Sequence, residues 1–526
     1  MVIVSYALGL AGIALYHWPK MKKQDDLFLA GRSMRRWPVA ISMYMALFST
    51  NSFVGGVGWV NRPKGTVWIT LQNAGIMMAV PLVIWLYPSL FYRLRITTAY
   101  EYLERRFSYP VRAVASLLFM GARIMWMSTM LYAASLLLKT MLGWTAERGV
   151  PHGEILAPLL LGALGTLYAC VGGMHAVIWT DVAQFGVLMS GVLAMVTIAV
   201  RQTGGFAGAL SVAWHAGKLQ PPPLFSLTAD ISIVSGLLLG FVAYLSNAGA
   251  DQLILQTYLA GRSEKEIKES LWRNGLFLKP LSVIYPLLGV LLFVYYRSHP
   301  AVARLMRIPD DALPVFVTNV LPAGVRGLMV AALLSALISG LQGGMAALSA
   351  ALQVDFILRK RRERVSERNR VRLGRFLIVF WGVTISLGSL AVSHLGSRNN
   401  IIEILNIVMY PFLGVLLGIF LLGLLTHRAQ TAGTLIGACG GFLATISLGT
   451  TLPLLGLAAN LGLPVSPSLT AFGNSLHAVS TLFYGFMGAS TTIILGYLAS
   501  CFFSPPPDSK LNGLTRFRLP PAQAGE

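Results

Sequence analysis

The residues able to do chemistry in this chain are few, and they sit inside apolar stretches. Arg123 interrupts an otherwise apolar run, where a guanidinium suits bidentate capture of a carboxylate or, structurally, pairing with a carbonyl or another polar helix residue. Lys279 stands alone in LFLKPL, and Asp181 in IWTDVAQF. An unpaired carboxylate in hydrocarbon is costly, so Asp181 needs a partner and reads either as a helix-end anchor near the cytoplasmic face or as a residue of cation coordination or gating. Two segments are richer in polar groups: VAISMYMALFSTNSFVGGVGWV, with Ser49 to Ser52 followed by Gly55 and Gly56, and a later one with Ser335, Ser339, Gln342 and Ser349 at helical spacings. Such patterns suit broken helices that build ion sites at the membrane midplane, or small-residue helix packing, and spacing alone leaves both open. The eight histidines form no H-E-x-x-H pattern and the three cysteines no CxxC pair, so neither a membrane enzyme nor redox chemistry is expected.

The elements that position these residues follow from composition. Of 526 residues 55% are hydrophobic and 12% charged, against roughly 25% charged in a soluble protein, and the mean hydropathy is +0.67. A water-soluble enzyme is excluded, and an all-α polytopic membrane protein is predicted. Apolar windows give thirteen spans: 1–17, 38–60, 68–92, 113–138, 155–173, 176–200, 230–248, 275–296, 327–356, 376–396, 399–426, 430–455 and 478–503. An odd number puts the termini on opposite sides. One set of alternate loops holds 28 Lys and Arg and the other 11, with Arg123 and Lys279 inside spans. Basic loops face the cytoplasm, which places the N-terminus outside and the tail inside. The net charge of +21 is thus mostly a topology signal, and RKRRERVSERNRVRLGR reads as a solvated loop beside lipid headgroups rather than a nucleic-acid site. The first span lacks the basic leader of a cleavable signal peptide and is expected to be retained. The absence of an N-x-S/T acceptor fits a bacterial inner membrane. The polar tail from Ser504 is too short for an output domain, which argues against a receptor, and no P-loop occurs, so an ion gradient rather than ATP would drive transport.

Four segments, in order, carry a resemblance: DDLFLAGRSM, YACVGGMHAVIWTDVAQFGVLMSG, DQLILQTYLAGRSEKE and the ninth span ending in VDF. Over roughly residues 25–450 the chain resembles the sodium:solute symporter family, whose members carry sugars, proline, sialic acid, monocarboxylates and vitamins. The resemblance implies a LeuT-type fold of two inverted five-helix repeats, mapping to spans two to six and seven to eleven. The charge count agrees, since the second span would run outward and the seventh inward. The expected organisation is an extra helix and basic loop (1–37), a core (38–426, with repeats 38–200 and 230–426), two further helices (427–503) and a cytoplasmic tail (504–526).

Carried over residue by residue, the family's sodium site would use the carbonyls of Met45, Phe48 and Ala336 and the hydroxyl of Ser339. Gly340 stands where members usually have Ser or Thr, and losing one of about five oxygens weakens a hard-cation site. Asp181 matches the aspartate of a second sodium site found in some members, but its serine partners read Gln342 and Gly343 here, so that second site is expected to be absent or rebuilt. Gln72 aligns with a substrate-facing acidic or amide residue, and Lys279 with a lysine that contacts sugar hydroxyls. Snorkelling is the alternative for Lys279, because the predicted span ends about four residues, ~6 Å, away. Asn247 replaces a gating tyrosine of the sugar carriers, Asn406 would line the far wall, and Ser49 and Ser52 complete the expected substrate set with Arg123. The expected activity is sodium-coupled symport of a small polar organic solute (monocarboxylate, sugar acid or sugar) by alternating access. Arg123 and Gln72 favour an anion, and Gly340 raises a proton-coupled or uncoupled carrier as the alternative. The expected partners are the solute, sodium and the lipid bilayer, with no nucleic acid and no obligate protein partner, in the plasma membrane.

Overall fold

The computed structural model describes residues 24–48, 50–142, 153–171, 174–360, 365–395, 401–460 and 466–518, plus Gly9, Gly12, Ile13 and Tyr16. Its principal helices are α1 (Arg36–Leu47), α2 (Thr50–Asn61), α3 (Leu71–Leu86), α4 (Ala99–Arg106), α5 (Tyr109–Leu142), α6 (Gly153–Val171), α7 (Met174–Gln202), α8 (Ile233–Ala250), α9 (Gln252–Leu259), α10 (Glu264–Arg273), α11 (Ile284–Ser298), α12 (Ala312–Asn319), α13 (Ala323–Ala351), α14 (Glu367–Leu395), α15 (Ile401–Leu425), α16 (Thr431–Asn460) and α17 (Tyr484–Cys501). Among the described residues nine helical stretches are long and apolar enough to cross a membrane, with two shorter apolar helices, Ile155–Cys170 and Met409–Leu425. The expected first span, 1–17, lies outside the described residues apart from those four positions.

Two helices are broken in mid-course. α1 stops at Phe48, whose backbone turns extended (φ −82, ψ 123). The Phe48 amide still donates to the Tyr44 carbonyl at 2.7 Å, which makes that the last bond of the α1 ladder among the described residues. α8 stops at Asp251 (φ −90, ψ 116), whose side chain accepts from the Leu253 amide at 2.8 Å and so caps α9. The span expected to end at 248 instead continues through this break to Leu259. Glycines bring the broken pair's neighbour close. A Cβ on Gly75 of α3 would sit 2.0 Å from the Leu237 carbonyl oxygen, and one on Gly240 of α8 1.8 Å from that of Gln72. Only glycine permits this backbone contact, which seats Gln72 against α8.

The helix expected to begin at 275 begins at Glu264. Its ladder changes register midway: a π-helical turn at Asn274–Leu278 is followed by a 3-10 turn at Lys279–Val283, where Pro280 lacks an amide donor. Asn274 donates to the Ala40 carbonyl at 3.0 Å, tying this irregular turn to α1.

At the end expected to face the cytoplasm, Asp355 of the VDF segment is fully buried. It accepts from Arg112 Nε and Nη2 (2.9 and 2.6 Å), Thr98 (2.7 Å) and Ser116 (2.8 Å). Glu104 bonds Arg359 and Arg112, in that order of effect, which hold its carboxyl below the usual range. The tail was expected to form no domain, yet part of it docks. Leu511, Leu514 and Thr515 are buried, the Tyr102 hydroxyl donates to the Leu514 carbonyl at 3.0 Å, and Phe517 packs edge-on to Trp85.

Candidate functional site

A cavity of about 190 Å³ opens where the two broken helices meet α3, α5, the Lys279 turn and α15. Gln72, Arg123, Lys279, Ser52, Asn247 and Asn406 all line it, with Phe48, Asp251, Tyr244 and Tyr285. Ser49 lies outside the described residues. The volume falls below the ~300 Å³ lower bound of pockets for drug-sized ligands, so the space suits a small solute.

The charges in this cavity are arranged unequally. Arg123, 4% exposed, pairs with Asp251 of the second break, and its guanidinium lies 4.7 Å from the Trp126 ring centroid. Its charge is matched inside the protein. Lys279, 7% exposed, has its ammonium 5.4 Å from the Tyr44 ring centroid, and no carboxylate pairs with it among the described residues. It is buried and lines the internal cavity, so its ammonium points into the bundle rather than to the membrane surface. The snorkelling alternative is corrected for that reason. Above it Tyr44 and Tyr285 share a hydrogen bond of 3.0 Å, and Phe48 stacks on Tyr285 at 4.7 Å. The Asn406 amide donates to Thr481 at 3.1 Å.

A second polar cluster lies where α1, α7, α9 and α13 pack. Asp181, 1% exposed, accepts from Ser42 of α1 and Ser339 of α13, each at 2.5 Å, so it ties three helices rather than anchoring a helix end. One turn beyond Asp181 is Gln184, and one turn beyond Ser339 is Gln342; both are buried with neither amide atom hydrogen-bonded among the described residues. Gln256 of α9 makes only a long 3.5 Å contact to the Gly343 carbonyl, and its own carbonyl oxygen is unpartnered. Buried polar atoms are normally satisfied. Asp181, Ser42 and Ser339 bring a carboxylate and two hydroxyls together, oxygen donors of the kind hard cations take, with buried amides one helical turn away on α7 and α13. Ala336, fully buried, lies one turn before Ser339.

Gly340 faces elsewhere. A Cβ there would meet Met130 Sδ at 2.7 Å and the Trp126 ring at 3.5 Å, both on α5. The glycine thus serves the close approach of α13 to α5. Gly340→Ser and Gly340→Ala should both displace Met130, lower the melting temperature by similar amounts (about 1–3 kcal/mol of overpacking) and leave sodium activation alike. Sodium titrations of uptake check this: a lower half-saturating concentration in the Ser variant alone would show that the hydroxyl reaches the ion.

Sequence reasoning missed Asp251, Ser42, Gln184 and Gln256. The signal for Asp251 was available, a lone carboxylate between two apolar runs in LSNAGADQLILQTYL. Ser42 and the glutamines carried none, because a serine or amide in a span has many packing roles.

Helices broken in mid-course around a polar cavity, in a bundle that is helical throughout the described residues, make a LeuT-type fold. The sodium:solute symporter family matches residues 27–441, and the chain belongs to that family. It is a membrane transporter coupling a solute to sodium, not an enzyme. The chain is 25% identical to a sodium/sialic acid symporter of Proteus mirabilis over 96% of this chain and 95% of that one. It is 29% identical to the human sodium/iodide cotransporter (97% and 83%) and 26% to human sodium-coupled monocarboxylate transporter 1 (95% and 85%). Among solved structures, a substrate-bound, outward-open sodium-coupled sialic acid symporter superposes with TM-score 0.80 at 24% identity, covering 96% of this chain and 97% of that one.

Proposed function

We propose that this protein couples sodium entry to the uptake of a small, singly charged organic anion such as a monocarboxylate or sugar acid. The observation that carries the reading is the charge inventory of the cavity: Arg123 is neutralised by Asp251, while Lys279 has no internal counter-charge among the described residues. A carboxylate solute supplies the missing negative charge, and Gln72, Asn247 and Asn406 offer amides to its hydroxyl or carbonyl groups. The relatives named for sialic acid, iodide and monocarboxylates are likewise named for anions or acids. In this reading Asp181, Ser42 and Ser339, with the amide oxygens of Gln184, Gln256 and Gln342, hold a sodium ion. The carbonyls of Met45, Phe48 and Ala336 contribute to a second position that shares Ser339.

The cation and solute sites are mechanically linked. Ser42 lies on α1, and α1 ends at Phe48 in the cavity wall, so a cation held between α1, α7 and α13 favours the arrangement of α1 that shapes the solute site. Alternating access then amounts to rocking the broken helices against their surroundings. The basic loops face the cytoplasm, the N-terminus lies outside, and the membrane is the bacterial inner membrane; the core spans 38–426 as two inverted repeats.

Uptake into proteoliposomes tests the solute class. Wild type should transport a monocarboxylate or sugar acid, and Lys279→Gln should raise its KM about 10- to 100-fold, the equivalent of a 1.5–3 kcal/mol charged hydrogen bond. Transport of a neutral sugar that carboxylates do not inhibit, with Lys279→Gln unaltered, rejects the anion reading.

A further inference from the structure

The inner end of α1 and the last turn of α10 enclose a second crevice of about 550 Å³, lined by Arg36, Trp37, Glu269, Trp272, Arg273 and Phe277. Its walls are of two kinds. Trp37, Trp272 and Phe277 are 49%, 38% and 65% exposed, large apolar surfaces at the level where the chain passes from basic loop to apolar helix. Tryptophan at that level marks the boundary between acyl chains and headgroups. The floor is charged: Arg36 Nη1 and Arg273 Nη1 converge on one carboxylate, Glu269, at 2.5 and 3.3 Å, and Arg273 lies 4.8 Å over the Trp37 ring. The nearby Glu266 carboxylate accepts from the Arg36 backbone amide at 2.6 Å and so caps α1. Two guanidiniums therefore share Glu269 between them, and Arg273 Nε is buried with no hydrogen-bond partner among the described residues.

We propose that this crevice binds the phosphodiester headgroup of an anionic phospholipid, with the two arginines holding the phosphate and the aromatic walls receiving the start of the acyl chains. Planar guanidinium forks match phosphate oxygens. The apolar walls add nothing for inorganic phosphate and favour a lipid. The basic-residue count puts the crevice on the cytoplasmic side, where anionic lipids attract cationic surface. A lipid seated there ties α1, which leads to the break at Phe48, to α10, which leads through the π turn to Lys279.

Native mass spectrometry and thermal melts of the full chain in detergent, with phosphatidylglycerol, phosphatidylcholine or inorganic phosphate added, test the site. Wild type should retain phosphatidylglycerol over phosphatidylcholine, and only phosphatidylglycerol should raise the melting temperature. Arg273→Gln should cut phosphatidylglycerol retention about five-fold, the factor given by about 1 kcal/mol per basic residue. Arg273→Lys should lose less, and Arg518→Gln, a tail arginine paired with Asp508, should change nothing. Equal retention of the two lipids by wild type, an equal melting shift with inorganic phosphate, or Arg273→Gln matching Arg518→Gln would each overturn the proposal. Should Arg273→Gln not fold, Trp37→Leu and the wild-type lipid preference remain decisive.

Discussion

Asp181→Asn should abolish sodium activation of uptake while leaving the protein folded. The carboxylate is buried between Ser42 and Ser339. Asparagine has the same shape and keeps one acceptor oxygen, and the serine hydroxyls can turn to their own helix carbonyls. What disappears is the negative charge of a site otherwise built of neutral oxygens. Removing one partner of a buried charge interaction costs about 3–5 kcal/mol, which corresponds to a rise in half-saturating sodium of roughly 100-fold or more. Ser339→Ala should produce a smaller rise, since it deletes one neutral ligand. The measurement is solute uptake against sodium concentration, with a thermal melt to show that the variant is folded. Unchanged sodium activation in both variants would place the coupling ion away from this cluster.

Breaking the Arg123–Asp251 pair should have the largest effect on stability. Both side chains are almost fully buried, and Asp251 also caps α9. Arg123→Gln strands a carboxylate at the break of α8, and Asp251→Asn strands a guanidinium beside Trp126. Each single change should cost about 3–5 kcal/mol. The double variant Arg123→Gln/Asp251→Asn should recover much of that loss, because two amides can hydrogen-bond where the charges did. A double-mutant cycle on melting temperature, read alongside KM, distinguishes the roles. Additive losses would contradict the pairing, and an Arg123→Gln variant of normal stability with a large KM for anions would make Arg123 the solute's own anchor.

Much of the site was legible as individual residues. Arg123 and Lys279 stood out because a charge in hydrocarbon is expensive, and the family pattern singled out Gln72, Asn247 and Asn406. The structure brings all of them to one cavity. Their relationships were less legible. The partner of Arg123 lies 128 residues away, in a stretch whose apolar pattern hid a mid-helix break. The direction of Lys279 was not legible either: a lysine so near the charged Glu264–Arg273 segment could equally reach the membrane surface, and only packing turns it into the cavity.

The sequence by itself determined the class of solvent, the helical content and the positions of polar groups within the spans. Each follows from local composition: backbone groups in lipid must bond within the helix, and a buried charge is conspicuous wherever it stands. Only the tertiary structure decided which charges cancel, where Gly340 points and which hydroxyls meet Asp181. Those outcomes depend on the rotation and approach of helices far apart in the chain. A shift of one residue turns a side chain by about 100° around its helix, and that angle decides whether Arg123 meets a solute or Asp251.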